Sequence, residues 1–283
     1  MTANNAIQIQ NLSYWYEPEK IILDNINLKI ADNEFTAIIG QNGSGKSTLL
    51  KNISGLLRPS QGTILLREKN TGQMNVSEIA AEIGFVMQDP DNQLFEMTVY
   101  DEVAFALRHA VKKGRITKKE LDDKVKESLA AAGLSDKSDV FPAALGRADR
   151  IKVVFASVLA MNIKIIMLDE PVAGQDYRGC RLIMDLAAGL HRQGYTIIMV
   201  SHNVNIIAEY AKRLIVIKDG AVFMDGKPED VFGRPEELAQ AGLLPPPVTR
   251  LSRSLRNYLP LERDAMTPPE LAAMLVKLKH KLV

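Results

Sequence analysis

Residues 35 to 50 run FTAIIGQNGSGKSTLL, and the way this stretch is read decides the fold. Phe35 to Ile39 form a short apolar run ending on Gly40, as a buried strand does, and the residues from Lys46 onward have helical spacing. Between them GQNGSGKS, Gly40 to Ser47, fits G-x-x-x-x-G-K-[ST] in the strand-to-helix context that marks a phosphate-binding loop. Gly40, Gly43 and Gly45 let backbone N–H groups turn toward phosphate oxygens, and the helix that follows adds positive potential at its N-terminus. Lys46 reaches for terminal phosphates and Ser47 for Mg²⁺; Asn42, Ser44 and Thr48 complete the nucleotide-binding set.

Working outward, residues 7 to 39 alternate apolar and polar positions in short runs and predict antiparallel strands before the loop. The region from about Val99 to Leu134, rich in Lys, Glu and Ala, predicts a helical subdomain, taken to extend over about 99–152. From Val153 onward helix and strand patterns alternate, the signature of a parallel sheet with crossover helices. The class is therefore α/β. Three prolines, Pro245 to Pro247, break the pattern and set a boundary near Leu243, giving a main domain over 1–242 and a helical tail over 243–283.

Two further strand ends carry chemistry. IIMLDE, Ile165 to Glu170, delivers Asp169 to the carboxyl end of an apolar strand, where α/β sheets place ligands. Asp169 suits Mg²⁺, and Glu170 suits orienting or deprotonating an attacking water. TIIMVSH ends on His202, which the same rim makes a candidate γ-phosphate contact.

Composition excludes several classes. A net charge of +1 gives no reason to expect nucleic acid as a partner. One cysteine, Cys180, allows neither an internal disulfide nor a thiolate metal cluster. The longest apolar stretch, Val153 to Leu168, is interrupted by Asn162 and Lys164 and falls short of the roughly 20 residues a membrane span needs. MTANNAIQIQ lacks a basic segment followed by an apolar one, so no secretory leader is expected. Work at a membrane would go through other chains.

Taken in order, these motifs resemble the nucleotide-binding subunit of an ABC transporter, a P-loop NTPase of the ABC ATPase type, over nearly the whole chain. The resemblance makes Gly40–Ser47 the Walker A motif, Ile165–Asp169 the Walker B motif, Glu170 the catalytic glutamate and His202 the switch histidine. It makes Gln88 the Q-loop residue that senses Mg²⁺ and contacts the membrane partner, and Tyr16 the adenine-stacking aromatic. The D-loop falls on Ala173–Asp176, with Gln175 where the family usually has leucine. MQDPDNQLFEMTVYDEVAFAL is similar to the Q-loop region of energy-coupling factor (ECF) ATPases, which serve vitamin or metal-ion importers. The resemblance implies ATP and Mg²⁺ as cofactors and a peripheral place on the cytoplasmic face of the cell membrane. It implies three partners: a second ABC ATPase, a transmembrane scaffold touched near Gln88, and a separate substrate-binding membrane subunit. The tail is similar to that group's C-terminal extension, which adds contact between ATPases.

One piece departs from the family. Its LSGGQ signature, which reaches ATP on the partner subunit, falls on Leu145, Gly146, Arg147, Ala148 and Asp149. Gly146 removes the serine hydroxyl, and Arg147 and Ala148 add side chains where the backbone must approach closely. Asp149 sets a carboxylate against a polyphosphate, a repulsion of about 4 kcal/mol at ~4 Å and an effective dielectric of 20; Arg147 could offset part of it. The expectation is an asymmetric heterodimer in which this chain's sound P-loop faces a sound signature on another ATPase. Alternatives are a mainly regulatory ATP-binding subunit, the ATPase of a conventional ABC transporter, and an ABC ATPase of translation or DNA repair.

Overall fold

The computed structural model describes residues 4–282. Strands β1 (Asn5–Trp15) and β2 (Ile21–Ala31) pair antiparallel, as their alternation predicts. With β4 (Gln61–Leu66) and β5 (Lys69–Asn70) they form a four-stranded antiparallel sheet in the order β2-β1-β4-β5. The third apolar run, β3 (Phe35–Ile39), leaves that sheet for a second one. There it lies between β8 (Thr196–Val200) and β9 (Arg213–Lys218), parallel to both. Strands β6 (Ile83–Val86), β7 (Ile165–Asp169) and β10 (Ala221–Gly226) complete the order β10-β9-β3-β8-β7-β6, with β10 antiparallel at one edge.

Apart from its antiparallel edge strand β10, this sheet is buried on both faces, which is why β3, β7 and β8 read as continuous apolar runs. Alternate residues feed opposite cores. Phe35, Ala37 and Ile39, with Ile166, Leu168, Ile197 and Met199, pack beneath α6 (Tyr177–Arg192), α7 (Val204–Tyr210) and α8 (Pro228–Phe232). Ile38, Met167, Ile198 and Ile215 face α1 (Lys46–Ile53) and the antiparallel sheet. A short helix, α2 (Val76–Ala80), leads into β6 behind an Asn75–Glu78 capping box.

A separate core joins α3 (Val99–Lys112), α4 (Lys118–Ala131) and α5 (Arg147–Ala160). Helix α5 belongs to two cores at once. Ile151, Val154, Phe155 and Val158 pack on the sheet, while Val153, Ala156 and Ala160 pack on α3 and α4. Its two-sided burial accounts for the long apolar run that begins at Val153.

After α9 (Pro235–Gln240), helices α10 (Pro247–Leu255) and α11 (Pro268–Leu282) enclose a small core of Val248, Leu261, Ala265 and Leu271. The tail is not free of the body: Met266 belongs to the main core, and Arg253 donates to Phe232 and Gly233 carbonyls at 3.4 and 3.3 Å.

The seam between sheet and helical subdomain is tightest at Gly84 on β6, where an added Cβ would stand 2.6 Å from Val158 Cγ2. Gly84→Ala should destabilise the chain by about 1–3 kcal/mol through overpacking. Val158→Ala in the same chain should recover much of that loss, and denaturant melts of the single and double variants would show the coupling.

Candidate nucleotide site

Four neighbouring strands of the large sheet, β3, β8, β7 and β6, end on one rim and hand their next residues to one cleft. From β3 comes the phosphate loop. Gly45 sits at φ 103°, where an added Cβ would stand 2.7 Å from Leu23 Cδ2 and 2.9 Å from the Ile22 carbonyl oxygen. Only glycine fits there, and as the N-cap of α1 it brings no side chain to occupy the first-turn N–H groups. They remain for an anion. Lys46 Nζ folds back over the loop and donates to the carbonyl oxygens of Gly40 and Gln41, both at 2.8 Å, and to Ser44 Oγ at 3.4 Å. Burial lowers its pKa, against the pull of Glu170 and Asp169.

From β7 come the two acids. Asp169 Oδ1 lies 3.5 Å from Ser47 Oγ, and burial raises its carboxyl above the usual range despite that hydroxyl and the nearby lysines. Glu170 takes the left-handed backbone region at φ 50°, unusual for a residue with a side chain, and donates its N–H to the Val200 carbonyl at 2.9 Å. Its carboxyl is buried and pushed up to about 7, chiefly by desolvation, although hydrogen bonds from the His202 backbone and Ser201 act the other way. From β8 comes His202, whose Nδ1 stands 2.8 Å from Glu170 Oε1. The approach is close but outside hydrogen-bond geometry, so that oxygen is buried without a partner among the described residues.

From β6 comes Gln88, exposed on the cleft wall, and from the end of β1 comes Tyr16, 58 % exposed and edge-on to Tyr14 at 5.0 Å. The cleft thus brings together Tyr16, Asn42, Gly43, Gly45, Lys46, Ser47, Thr48, Gln88, Glu170 and His202, with Ile22 and Val200 in its wall. Gly40 and Ser44 lie beneath, as acceptors for Lys46. Every residue of the sequence-derived nucleotide set is in or under one opening.

These residues fit a nucleoside triphosphate with a divalent cation. The glycine cradle suits the phosphates, and the buried Glu170 Oε1, close to His202 Nδ1, has no hydrogen-bond partner among the described residues. Ser47 and Asp169 offer hard oxygen donors. Among the described residues no group of three or more His, Cys, Asp or Glu could hold a metal ion. A small cation at this place would therefore take its other ligands from phosphate and water, as Mg²⁺ does.

Residues 145–149 lie elsewhere. Leu145 is buried in the helical core and Gly146 is the N-cap of α5, with no side chain to serve it. Two expectations need correction here. Asp149 is not a bare negative charge: Lys137 and Lys152 donate to it at 2.5 and 3.0 Å. Burial opposes its ionisation, but the two lysines outweigh that and hold the carboxyl below the usual aspartate range. The expected repulsion of a neighbouring polyphosphate was overstated because those cations, in α5 and just before it, neutralise the carboxylate. Nor does Arg147 wait for a phosphate, since its Nη2 donates to the Gln88 carbonyl at 2.5 Å.

Sequence reasoning also missed two residues that shape the site. Gln93 holds the loop after β6, accepting from Met87 N at 2.8 Å and donating to Phe85 O at 2.7 Å. Glu102, buried at the start of α3, accepts from Phe95 N and Glu96 N, both at 2.8 Å. Both sit within the stretch that carries Gln88, but no spacing rule tells a closing side chain from a solvated one.

The family model described as "ABC transporter" matches residues 23–173, from β2 through the residues after Glu170. The chain belongs to the ABC transporter family. Members of that family bind ATP and hydrolyse it in step with transport. This chain is similar to the energy-coupling factor transporter ATP-binding protein EcfA2 of Clostridium perfringens, 40% identical over 89% of this chain and 90% of that one. Other curated relatives are longer. The chain spans only 44% of a putative ABC transporter ATP-binding protein of Caldanaerobacter subterraneus, at 40% identity over 90% of its own length. Among solved structures it is similar to cbiO1 of Clostridium perfringens, described as part of the ABC transporter complex cbiONQ, with TM-score 0.77, 33% identity, and 91% and 96% of the two chains covered. It is also similar to the cassette MJ0796 in a dimeric post-hydrolysis state with ADP and phosphate, with TM-score 0.69, 30% identity, and 78% and 98% covered.

The raised Glu170 carboxyl makes a stability prediction for the chain on its own. Its value rises on folding from 4.5 to about 7, so the folded state binds the extra proton between those limits. The cost of the buried carboxylate is absent below pH 4.5 and fully expressed above pH 7, on the order of 3 kcal/mol. Glu170→Gln should therefore raise the melting temperature at pH 8 and leave it nearly unchanged close to pH 4.5.

Proposed function

We propose that this chain is the ATP-binding and hydrolysing subunit of an ECF-type importer, and one half of an ATPase heterodimer. The observation that carries the reading is a contrast within the molecule. Lys46, Ser47, Asp169, Glu170 and His202 converge on one cleft, whereas the polar side chains at 147 and 149 are engaged within the chain itself. A homodimer would set two sound phosphate loops against two altered signatures. A heterodimer sets this chain's loop against a sound signature on another ATPase. The dimeric state of MJ0796 and the name of EcfA2 support pairing and the ECF assignment.

In this reading Tyr16 stacks on the base, the N–H groups of the loop and α1 hold the phosphates, and Lys46 turns from the carbonyls of Gly40 and Gln41 to the terminal phosphates. Ser47, Asp169 and Gln88 hold Mg²⁺, which when bound neutralises charge that develops on the phosphates. Glu170 orients the attacking water and accepts its proton, for which a value of about 7 suits a base working near neutral pH. His202, beside Glu170, contacts the γ-phosphate. Binding between two ATPases favours their closed pairing, and hydrolysis releases it.

The face that meets a membrane scaffold is carried by the stretch that follows Gln88 in the chain. Phe95, Met97 and Phe105 are 62 %, 72 % and 50 % exposed, and Phe95 and Phe105 stack edge-on at 4.7 Å. Glu102 fixes the backbone beneath them. Among the described residues no helix is long and apolar enough to cross a membrane. A peripheral place on the cytoplasmic face, attached through such a scaffold, follows from this reading. So do a separate substrate-binding membrane subunit and a vitamin or transition-metal cargo. The tail would add contact between the ATPases, where Leu251 on α10 and Tyr258 in the turn after it are 53 % and 85 % exposed.

A second reading, a mainly regulatory ATP-binding subunit, is favoured by the altered signature alone. One experiment separates them. The chain is purified alone and with the ATPase that co-purifies from its native membrane, and single-turnover ATP hydrolysis is followed. The chain alone should be nearly inactive and the pair active. Glu170→Gln should keep ATP binding but lower turnover of the pair by about 100-fold or more. Full activity of the chain alone would remove the heterodimer, and a pair indifferent to Glu170→Gln would make the subunit regulatory.

A further inference from the structure

We propose that Arg147 and Arg150 act within their own chain as positioning residues for Gln88, clasping the loop that carries it to the first turn of α5. The altered signature, in this view, has exchanged a glycine surface for a clasp. Arg147 Nη2 donates to the Gln88 carbonyl at 2.5 Å, and its Nη1 lies 3.6 Å from Asp89 Oδ1. One turn on, Arg150 pairs with Asp91. The Nε atoms of both arginines are buried without a partner among the described residues, so each guanidinium is held from the loop side, by its outer nitrogens.

The chemistry requires arginine. A planar guanidinium serves a carbonyl and a carboxylate on consecutive residues at once, which an ammonium does less well and a glycine cannot do. Gln93 ties the start of the same loop through Met87 N and Phe85 O, and Pro90 within it is buried. With its own carbonyl held by Arg147 and the preceding Met87 N–H held by Gln93, Gln88 presents its side chain on the cleft wall. The clasp also ties the cleft wall to α5, the helix shared by the sheet core and the core of the helical subdomain, so a shift of the helical subdomain would carry Gln88 with it.

This inference rests on the reading of Gln88 as a cation contact, and the experiment separates the two. ATP binding to the full chain is measured by calorimetry with Mg²⁺ and again with EDTA; the ratio of the affinities is the cation's contribution. Gln88→Ala should reduce that ratio. Arg147→Ala should reduce it by about tenfold, at the low end of what orienting partners of metal ligands contribute, with the EDTA affinity unchanged. Arg147→Lys should recover part of the loss. Arg147→Ala on top of Gln88→Ala should cost nothing further. Without nucleotide, amide exchange at Met87 to Asp91 should quicken in Arg147→Ala. If Arg147→Ala fails to fold, Arg147→Met, which keeps an unbranched stem without a donor for the Gln88 carbonyl, carries the same expectation. An unchanged ratio in Arg147→Ala beside a reduced one in Gln88→Ala overturns the clasp alone, as does a further loss in the double variant. An unchanged ratio in Gln88→Ala overturns the cation contact, and the clasp's purpose with it.

Discussion

Burial of the large sheet on both faces is the constraint on which the rest of this structure depends. A strand sandwiched between two cores has no place for an ionised side chain along its length, because desolvation would cost several kcal/mol per charge. Polar function is pushed to the strand ends. Because β6, β7, β8 and β3 are neighbours, Gln88, the Asp169–Glu170 pair, His202 and the phosphate loop emerge side by side on one rim. The antiparallel sheet packs against the same core from the other face and adds Tyr16 at its edge. One packing decision thus assembles a site from residues spread from 16 to 202.

The site is costly in its empty form. Lys46 is turned onto carbonyl oxygens, Glu170 sits in a left-handed backbone conformation with a buried, unsatisfied oxygen, and Asp169 and Glu170 have raised carboxyl values. Each is a group whose best partner is absent from the chain. In the proposed function, nucleotide and cation would supply those partners, and part of the binding energy would offset strain already stored. In that reading, a carboxyl pushed up to about 7 by burial also suits a base that accepts a proton near neutral pH.

Residues 145–149 show how far a motif comparison reaches. Set beside a glycine-rich signature, Arg147 and Asp149 are two losses. In the fold they are two gains of internal order. Asp149 joins Lys137 and Lys152 at the base of the helical subdomain, and Arg147 reaches the Gln88 carbonyl. The asymmetry expected of a pair built from this chain stands on the missing serine and the added side chains. It does not need a repulsive carboxylate.

Period-two burial, the strand–loop–helix run through Gly40–Ser47 and the alternation after Val153 were legible in the sequence, because each is a local pattern imposed by one backbone geometry. Asp169, Glu170 and His202 were legible for the same reason, as polar residues that end apolar strands. Tyr16 and Gln88 carried no such local signal; only family resemblance pointed to them, and tertiary packing decided that they share the cleft with Lys46. The partners of Arg147 and Asp149, the grip of Gln93 and Glu102 on their loops, and the docking of Met266 into the main core were beyond the sequence. A charged or amide side chain reaches many positions from its own backbone, and which one it takes is fixed by elements distant along the chain. The sequence by itself determined which chemistry the strand ends carry. The tertiary structure alone decided where the flexible polar side chains spend their hydrogen bonds, since that depends on what burial brings within about 3 Å of them.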